Sequence, residues 1–198
     1  MGQPAEKAAR RATHADLEAV PPNKVAELIR GTLPVMPRPA PRHARSSSIL
    51  GAKRTNPFDL GDGGPGGWWI LDAPELHFPD PAPVEPGDID ALVPDIAGWR
   101  RSRMPALPET ASFGLAPDWI CEILSASTED VDRHEKMPIY AREGVLHAWL
   151  VDPITRTLEA CTLGRGKRWG KAQIHEGAAR VRLPPFEAIE LDLSSLWA

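Results

Sequence analysis

Glu122 is the only acidic residue in the run WICEILS, residues 119–125, which is otherwise apolar up to Ser125. Period-two alternation on a strand puts Ile120, Glu122 and Leu124 on one face, with Trp119, Cys121, Ile123 and Ser125 on the other. Apolar residues on both faces describe a central strand covered on both sides. A carboxylate placed there loses its hydration, at a heavy cost unless a cation or hydrogen-bond donors compensate. The same reasoning applies to Asp95 in ALVPDIAGW, where it alternates with Val93 and Ala97. Two carboxylates on two apolar strands supply what a divalent metal ion requires, hard oxygen ligands held rigidly in a partly dry pocket, and Mg²⁺ suits such a set. The spacing is equally that of two structural carboxylates, a glutamate bonded to a loop at a sheet's end and an aspartate capping a turn after Pro94.

The elements that must position these residues can be read in chain order. VAELIRGTLPVM holds two short apolar runs around Arg30-Gly31, the pattern of a hairpin. A helix is expected to begin near His43, after prolines that keep the preceding segment extended. GDGGPGG at 61–67 reads as a flexible connection that does not pack. From Trp68 the chain turns strand-rich, with WWILDAPELHF kinked at Pro74, a proline-rich excursion over 79–88, and a strand in IDALVPDIAGW. Ser127 and Asp130 have capping-box spacing for a helix after WICEILS. Pro138 should break or restart that helix and sit in a first turn, because a proline in a helix interior costs about 3 kcal/mol. HAWLVDP and TLEACTLG form the next hairpin, and short strands close the chain. This order gives an α/β or α+β fold, helices packed on a mixed sheet with extra hairpins.

Composition narrows the setting. The chain of 198 residues fits one domain with extensions. Residues 1–22 form a basic, Ala-rich extension, a short helix or a flexible tail, and residues 23–198 a single domain. Cys121 and Cys161 lie far apart, as free thiols of a reducing cytoplasm would. No apolar run approaches the roughly 18 residues of a membrane span, and the N-terminus lacks the apolar centre of a secretory signal. A cytoplasmic protein without membrane contact is expected. Residues 1–58 carry ten Lys or Arg against four Asp or Glu, a net +6, which leaves −10 for the remainder of a chain whose total is −4. Such a basic arm could hold a polyanion through counterion release, or be a solvated tail.

The stretch APDWICEILSASTEDVDRHEKMPIYAREGVLHAWLVDP resembles the Uma-type family of restriction-endonuclease-like proteins, within the PD-(D/E)XK nuclease superfamily. The resemblance rests on Pro94-Asp95, on the strand Cys121–Ser125, on Asp132, Lys136 and Tyr140 in the next helix, and on Gly144, Val145 and Trp149. Upstream, AELIRGTLPVM and His43 match more weakly. The resemblance implies a restriction-endonuclease-like mixed sheet flanked by helices and an endonuclease hydrolysing DNA phosphodiester bonds. It further implies Asp95 and Glu122 as ligands of Mg²⁺ (or Mn²⁺), with Lys136 and Glu27 completing the catalytic set. A homodimer is implied by analogy, since nucleases of this fold often pair two sites to cut both strands. The superfamily's usual lysine, two residues after the glutamate, is replaced by Leu124. Asp132, Lys136 and Tyr140 at i, i+4 and i+8 share one helix face, so the Lys136 ammonium on its flexible stem can return toward Glu122. Asp118 supplies a second Pro-Asp pair, so the choice of Asp95 follows the family pattern.

Other readings compete. A catalytically inactive nucleic-acid-binding or regulatory protein on the same fold would retain these carboxylates as structural relics. The six histidines show no paired metal-ligand spacing on one element, which argues against zinc. His43 and Glu27 either join the pocket or lie at a helix start and on a hairpin. Glu75 and His77 either face the pocket or mark a hairpin edge. The tryptophans read as core packing rather than base-stacking platforms.

Overall fold

The computed structural model describes residues 10–197 apart from 22, 37, 82 and 84–87. Residues 1–9 of the N-terminal extension and the centre of the proline-rich excursion therefore lie outside the described residues. A short helix, α1 (His14–Glu18), opens with a capping box between Thr13 and Asp16. Its entry is fastened by the Ala12 amide donating to the Gly31 carbonyl at 2.7 Å. The expected hairpin is β1 (Val25–Ala26) against β2 (Val35–Met36), turning through Arg30 and Gly31, both at positive φ.

Helix α2 (Pro41–Arg54) starts with Pro41 in its first turn and runs on into a π-helical turn, Thr55–Leu60. The glycine segment that follows is packed, contrary to expectation. A Cβ on Gly64 would meet the Pro57 carbonyl oxygen at 2.6 Å, and the Gly66 amide donates to that same carbonyl. Glycine is required there because backbone approaches backbone.

Strands β3 (Trp68–Asp72), β4 (Leu76–Pro79), β5 (Ile89–Leu92) and β6 (Ile96–Arg100) make one long bent ribbon. β4 pairs with β5 in a sheet of their own, while β3 pairs with β6 in the main sheet. The single strand expected over IDALVPDIAGW is thus two strands with a corner at Val93-Pro94-Asp95. A proline there leaves no amide for a ladder, and Ala73 opposite has φ of 45° and donates to the Asp95 carbonyl.

WICEI forms β7 (Trp119–Ile123), with every residue buried. The connection to β8 (His147–Asp152) carries a helical segment: α3 (Glu129–Val131), a π-helical turn (Asp132–Lys136) and α4 (Met137–Glu143). β7 and β8 are parallel, as such a crossover permits. β9 (Thr157–Thr162) and β10 (Gln173–Glu176) continue the sheet in the order β10-β9-β8-β7-β6-β3. β11 (Arg180–Val181), β12 (Leu191–Asp192) and a 3₁₀ turn at Leu193–Leu196 close the chain. The mixed sheet with helices and extra hairpins is the fold class expected from the sequence.

Alternation on β7 divides the core. Trp119, Cys121 and Ile123 pack with Leu50 of α2 and the C-terminal segment, while Ile120 and Leu124 pack with Ile139 and Tyr140 of α4. The Ser46 hydroxyl bonds the Leu196 carbonyl and ties α2 to the chain's end. No helix among the described residues is long and apolar enough to cross a membrane.

Candidate active site

The bend before β6, the middle of β7 and the π-helical turn before α4 meet at one pocket. Glu122 is 2% exposed, Lys136 3% and Glu27 0%. Lys136 Nζ lies 2.9 Å from Glu122 Oε1, 3.0 Å from Glu27 Oε1 and 3.4 Å from Asp132 Oδ1. It also donates to the Val93 carbonyl at 3.3 Å. The Tyr140 hydroxyl donates to Glu122 Oε1 at 2.6 Å. Asp132, Lys136 and Tyr140 therefore do act from one helix face.

Local structure explains how. Pro138 cannot donate to the carbonyl four residues back, and the chain accommodates it with a π turn that hands over to α4, placing Pro138 in that helix's first turn. The capping box expected at Ser127 and Asp130 does not form. Thr128 is the N-cap without a side-chain cap bond, and the Ser125 hydroxyl instead engages those of Ser127 and Thr128.

Asp95 lies at the corner between β5 and β6. Its Oδ2 accepts from the Ile123 amide at 2.7 Å, and its Oδ1 lies 2.7 Å from His43 Nε2. The Asp95 amide in turn faces Glu122 Oε2 at 3.4 Å. His43 thus joins the pocket from α2. Glu27 Oε1 accepts from the Val93 amide at 2.6 Å, so Glu27 is fully buried beside Lys136 and not a partly exposed hairpin residue. Asp118 stands apart at the start of β7. It accepts from the Arg100 amide and pairs with Arg103, so the geometry distinguishes the two Pro-Asp pairs. Glu75, just before β4, and His77 within it face a different cleft, beside His14.

The electrostatics are unbalanced. Glu122, Glu27 and Asp132 surround the Lys136 ammonium, and Asp95 adds a fourth carboxylate beside them, bonded to His43. Burial pushes the Glu122 carboxyl well above its ordinary value, against the pull of Lys136, and Asp132, Asp95 and Glu27 push it further. Burial likewise raises Glu27 and Asp132, with Lys136 opposing in both. Burial works against the Lys136 ammonium, but Glu122 and Glu27 outweigh it and hold its pKa well above the usual lysine value. Glu27 Oε2 is buried without a hydrogen-bond partner. This surplus of hard oxygen donors, with one orphaned, fits a divalent cation. Asp95 and Glu122 are the side chains that would hold Mg²⁺, with Glu27 beside them.

The pocket has a volume of about 180 Å³ and reaches out past Arg38, Ser127 and Thr128. Arg38 had no signal in the sequence beyond a cation among prolines. Val93 contributes only backbone, which side-chain motifs do not reveal.

Comparison with known proteins agrees with the fold. A crystal structure from Anabaena variabilis ATCC 29413, described as "a putative nuclease belonging to DUF820", superimposes with a TM-score of 0.73 at 21% identity, covering 93% of this chain and 97% of the other. No curated protein matches the sequence. The model of the Uma2 family matches residues 12–194, so the chain belongs to that family, whose description is "Putative restriction endonuclease".

Proposed function

We propose that the protein is a divalent-metal-dependent endonuclease of PD-(D/E)XK type that hydrolyses DNA phosphodiester bonds. The observation carrying this reading is the convergence of Asp95 and Glu122 on a pocket whose lysine comes from the following helix, with Glu27 buried against that lysine. Family membership and the shared fold support it. Asp95 and Glu122 would hold Mg²⁺ or Mn²⁺, which would supply a water of lowered pKa and neutralise charge on the phosphoryl oxygens.

The chain's own residues do the rest. His43 and the Ile123 amide fix the Asp95 carboxylate, while Tyr140 and Lys136 fix Glu122. Lys136 keeps its proton, and an N–H now given to the carboxylates would turn to the phosphoryl oxygens where charge develops, a contribution of the kind made by other preorganised donors. Arg38 at the mouth is placed to meet an adjacent phosphate, and the basic arm adds sequence-independent attraction. Cleavage of both strands calls for two such sites, hence a homodimer of the 23–198 domain in a cytoplasmic setting.

One feature favours a second reading. Lys136 already satisfies three carboxylates, so the pocket is partly neutralised from within, as it would be in an inactive nucleic-acid-binding or regulatory protein. Supercoiled plasmid separates the two. Nicking with Mg²⁺ or Mn²⁺ that stops in EDTA supports the nuclease, and binding without cleavage under every condition supports the alternative.

A further inference from the structure

We propose that His14, Glu75 and His77 form a second metal site, distinct from the carboxylate pocket and suited to a transition-metal ion of the zinc class. One ligand atom from each of the three residues lies within 4.8 Å of the others. His77 Nε2 stands 2.5 Å from Glu75 Oε1, a hydrogen bond whose proton a metal ion would replace as the two atoms part to ligand spacing. The His14 ring meets the His77 ring edge-on, with centroids 5.1 Å apart. At the far side of His77, Nδ1 lies 3.2 Å from the Ser112 hydroxyl. Metal-binding histidines usually have such a partner, because it fixes the tautomer that leaves the other nitrogen free for the ion.

The donor set decides the class of ion. Two imidazoles and one carboxylate favour zinc and its neighbours, whereas Mg²⁺ seeks oxygen. The two sites therefore select different metals. Three protein ligands leave a coordination position open for water or an incoming group. All three residues line a cleft of about 440 Å³ beside α1 and β4.

His14 lies 61 residues before Glu75, the nearer of its two partners along the chain. An ion here ties the N-terminal extension to the β4–β5 hairpin and stabilises the docked arrangement. Arg11 and Asp80 pair across the same junction, so the ion reinforces a contact already present.

The test is calorimetric titration of metal-stripped full-length protein with ZnCl₂, comparing the wild type with His14→Ala, His77→Ala and Glu122→Gln. His14 is partly exposed, so its replacement leaves the fold intact. One zinc is expected to bind the wild type and Glu122→Gln alike, with affinity weakened about ten-fold or more in each histidine variant, the scale on which metal-site partners act. Zinc should also slow proteolysis between residues 10 and 24 in the wild type and not in His14→Ala. Unchanged zinc binding in both histidine variants, absence of binding by the wild type, or loss of zinc only in Glu122→Gln would overturn the proposal. None of these outcomes bears on plasmid cleavage, so the nuclease reading stands or falls separately.

Discussion

Lys136 Nζ lies 2.9 Å from Glu122 Oε1 although the two residues belong to different elements. Two positions after the glutamate, just past the end of β7, Leu124 is buried in the apolar layer with Ile120 and Met137. The ammonium thus reaches the carboxylate from the helix behind the sheet, and the strand position that would have carried it serves the core.

Replacing Lys136 by Met should destabilise the protein by about 3–5 kcal/mol, because the buried carboxylates are left without their counter-charge. Urea denaturation in EDTA is the measurement. A loss below about 1 kcal/mol would mean that the ion pairs are solvated, as at a surface.

Tyr140→Phe removes the hydroxyl that donates to Glu122 Oε1 and little else. A loss of about 1–3 kcal/mol is expected, since the carboxylate then lacks one buried donor. The same urea titration reads it, and an unchanged midpoint would show that the hydroxyl is not needed to hold Glu122.

Stability in EDTA should fall as pH rises above the ordinary glutamate value of 4.5. Glu122 and Glu27 have raised pKa values when folded, so in this window the folded chain holds more protons than the unfolded one. Linkage then makes the slope of stability against pH negative, until the folded groups have ionised. Lys136 runs in another window: its stabilisation is fully present below 10.5 and is lost as pH rises through its higher folded value. Mg²⁺ at pH 8 should restore stability by binding the ionised carboxylates in the folded state alone. Melting temperatures at pH 5 and pH 8, with and without Mg²⁺, check both signs.

Gly98→Ala tests the sheet. A Cβ there would lie 2.9 Å from Ile70 Cδ1 and 3.3 Å from the rings of Trp68 and Trp119. Overpacking of this kind costs about 1–3 kcal/mol. An unchanged melting temperature would mean that this layer is looser than described.

Much of the site's framework was legible because burial and charge conflict visibly in a sequence. Glu122 among apolar neighbours implies a compensating partner, and alternation assigns it to the face opposite Cys121, as the two core layers bear out. The family resemblance offered that partner in Lys136, and the i, i+4, i+8 spacing with Asp132 and Tyr140 showed how it could reach. What sequence could not give was geometry arising between distant segments. The corner at Pro94 divides an apparent single strand because the two halves pair with different partners. The glycine segment packs only because Pro57 happens to lie under it. His14 and His77 meet through the docking of α1 on β4, and no spacing within one element records that contact.

The most direct test of the central claim is nicking of supercoiled plasmid by the wild type, Glu122→Ala and Lys136→Ala, each with Mg²⁺, Mn²⁺ or EDTA. Metal-dependent nicking by the wild type is expected, abolished in Glu122→Ala and reduced about 100-fold or more in Lys136→Ala, on the scale of losing one preorganised donor. Nicking that persists undiminished in Lys136→Ala would contradict the role given to the helix-borne lysine, and nicking that survives EDTA or Glu122→Ala would contradict the metal site itself.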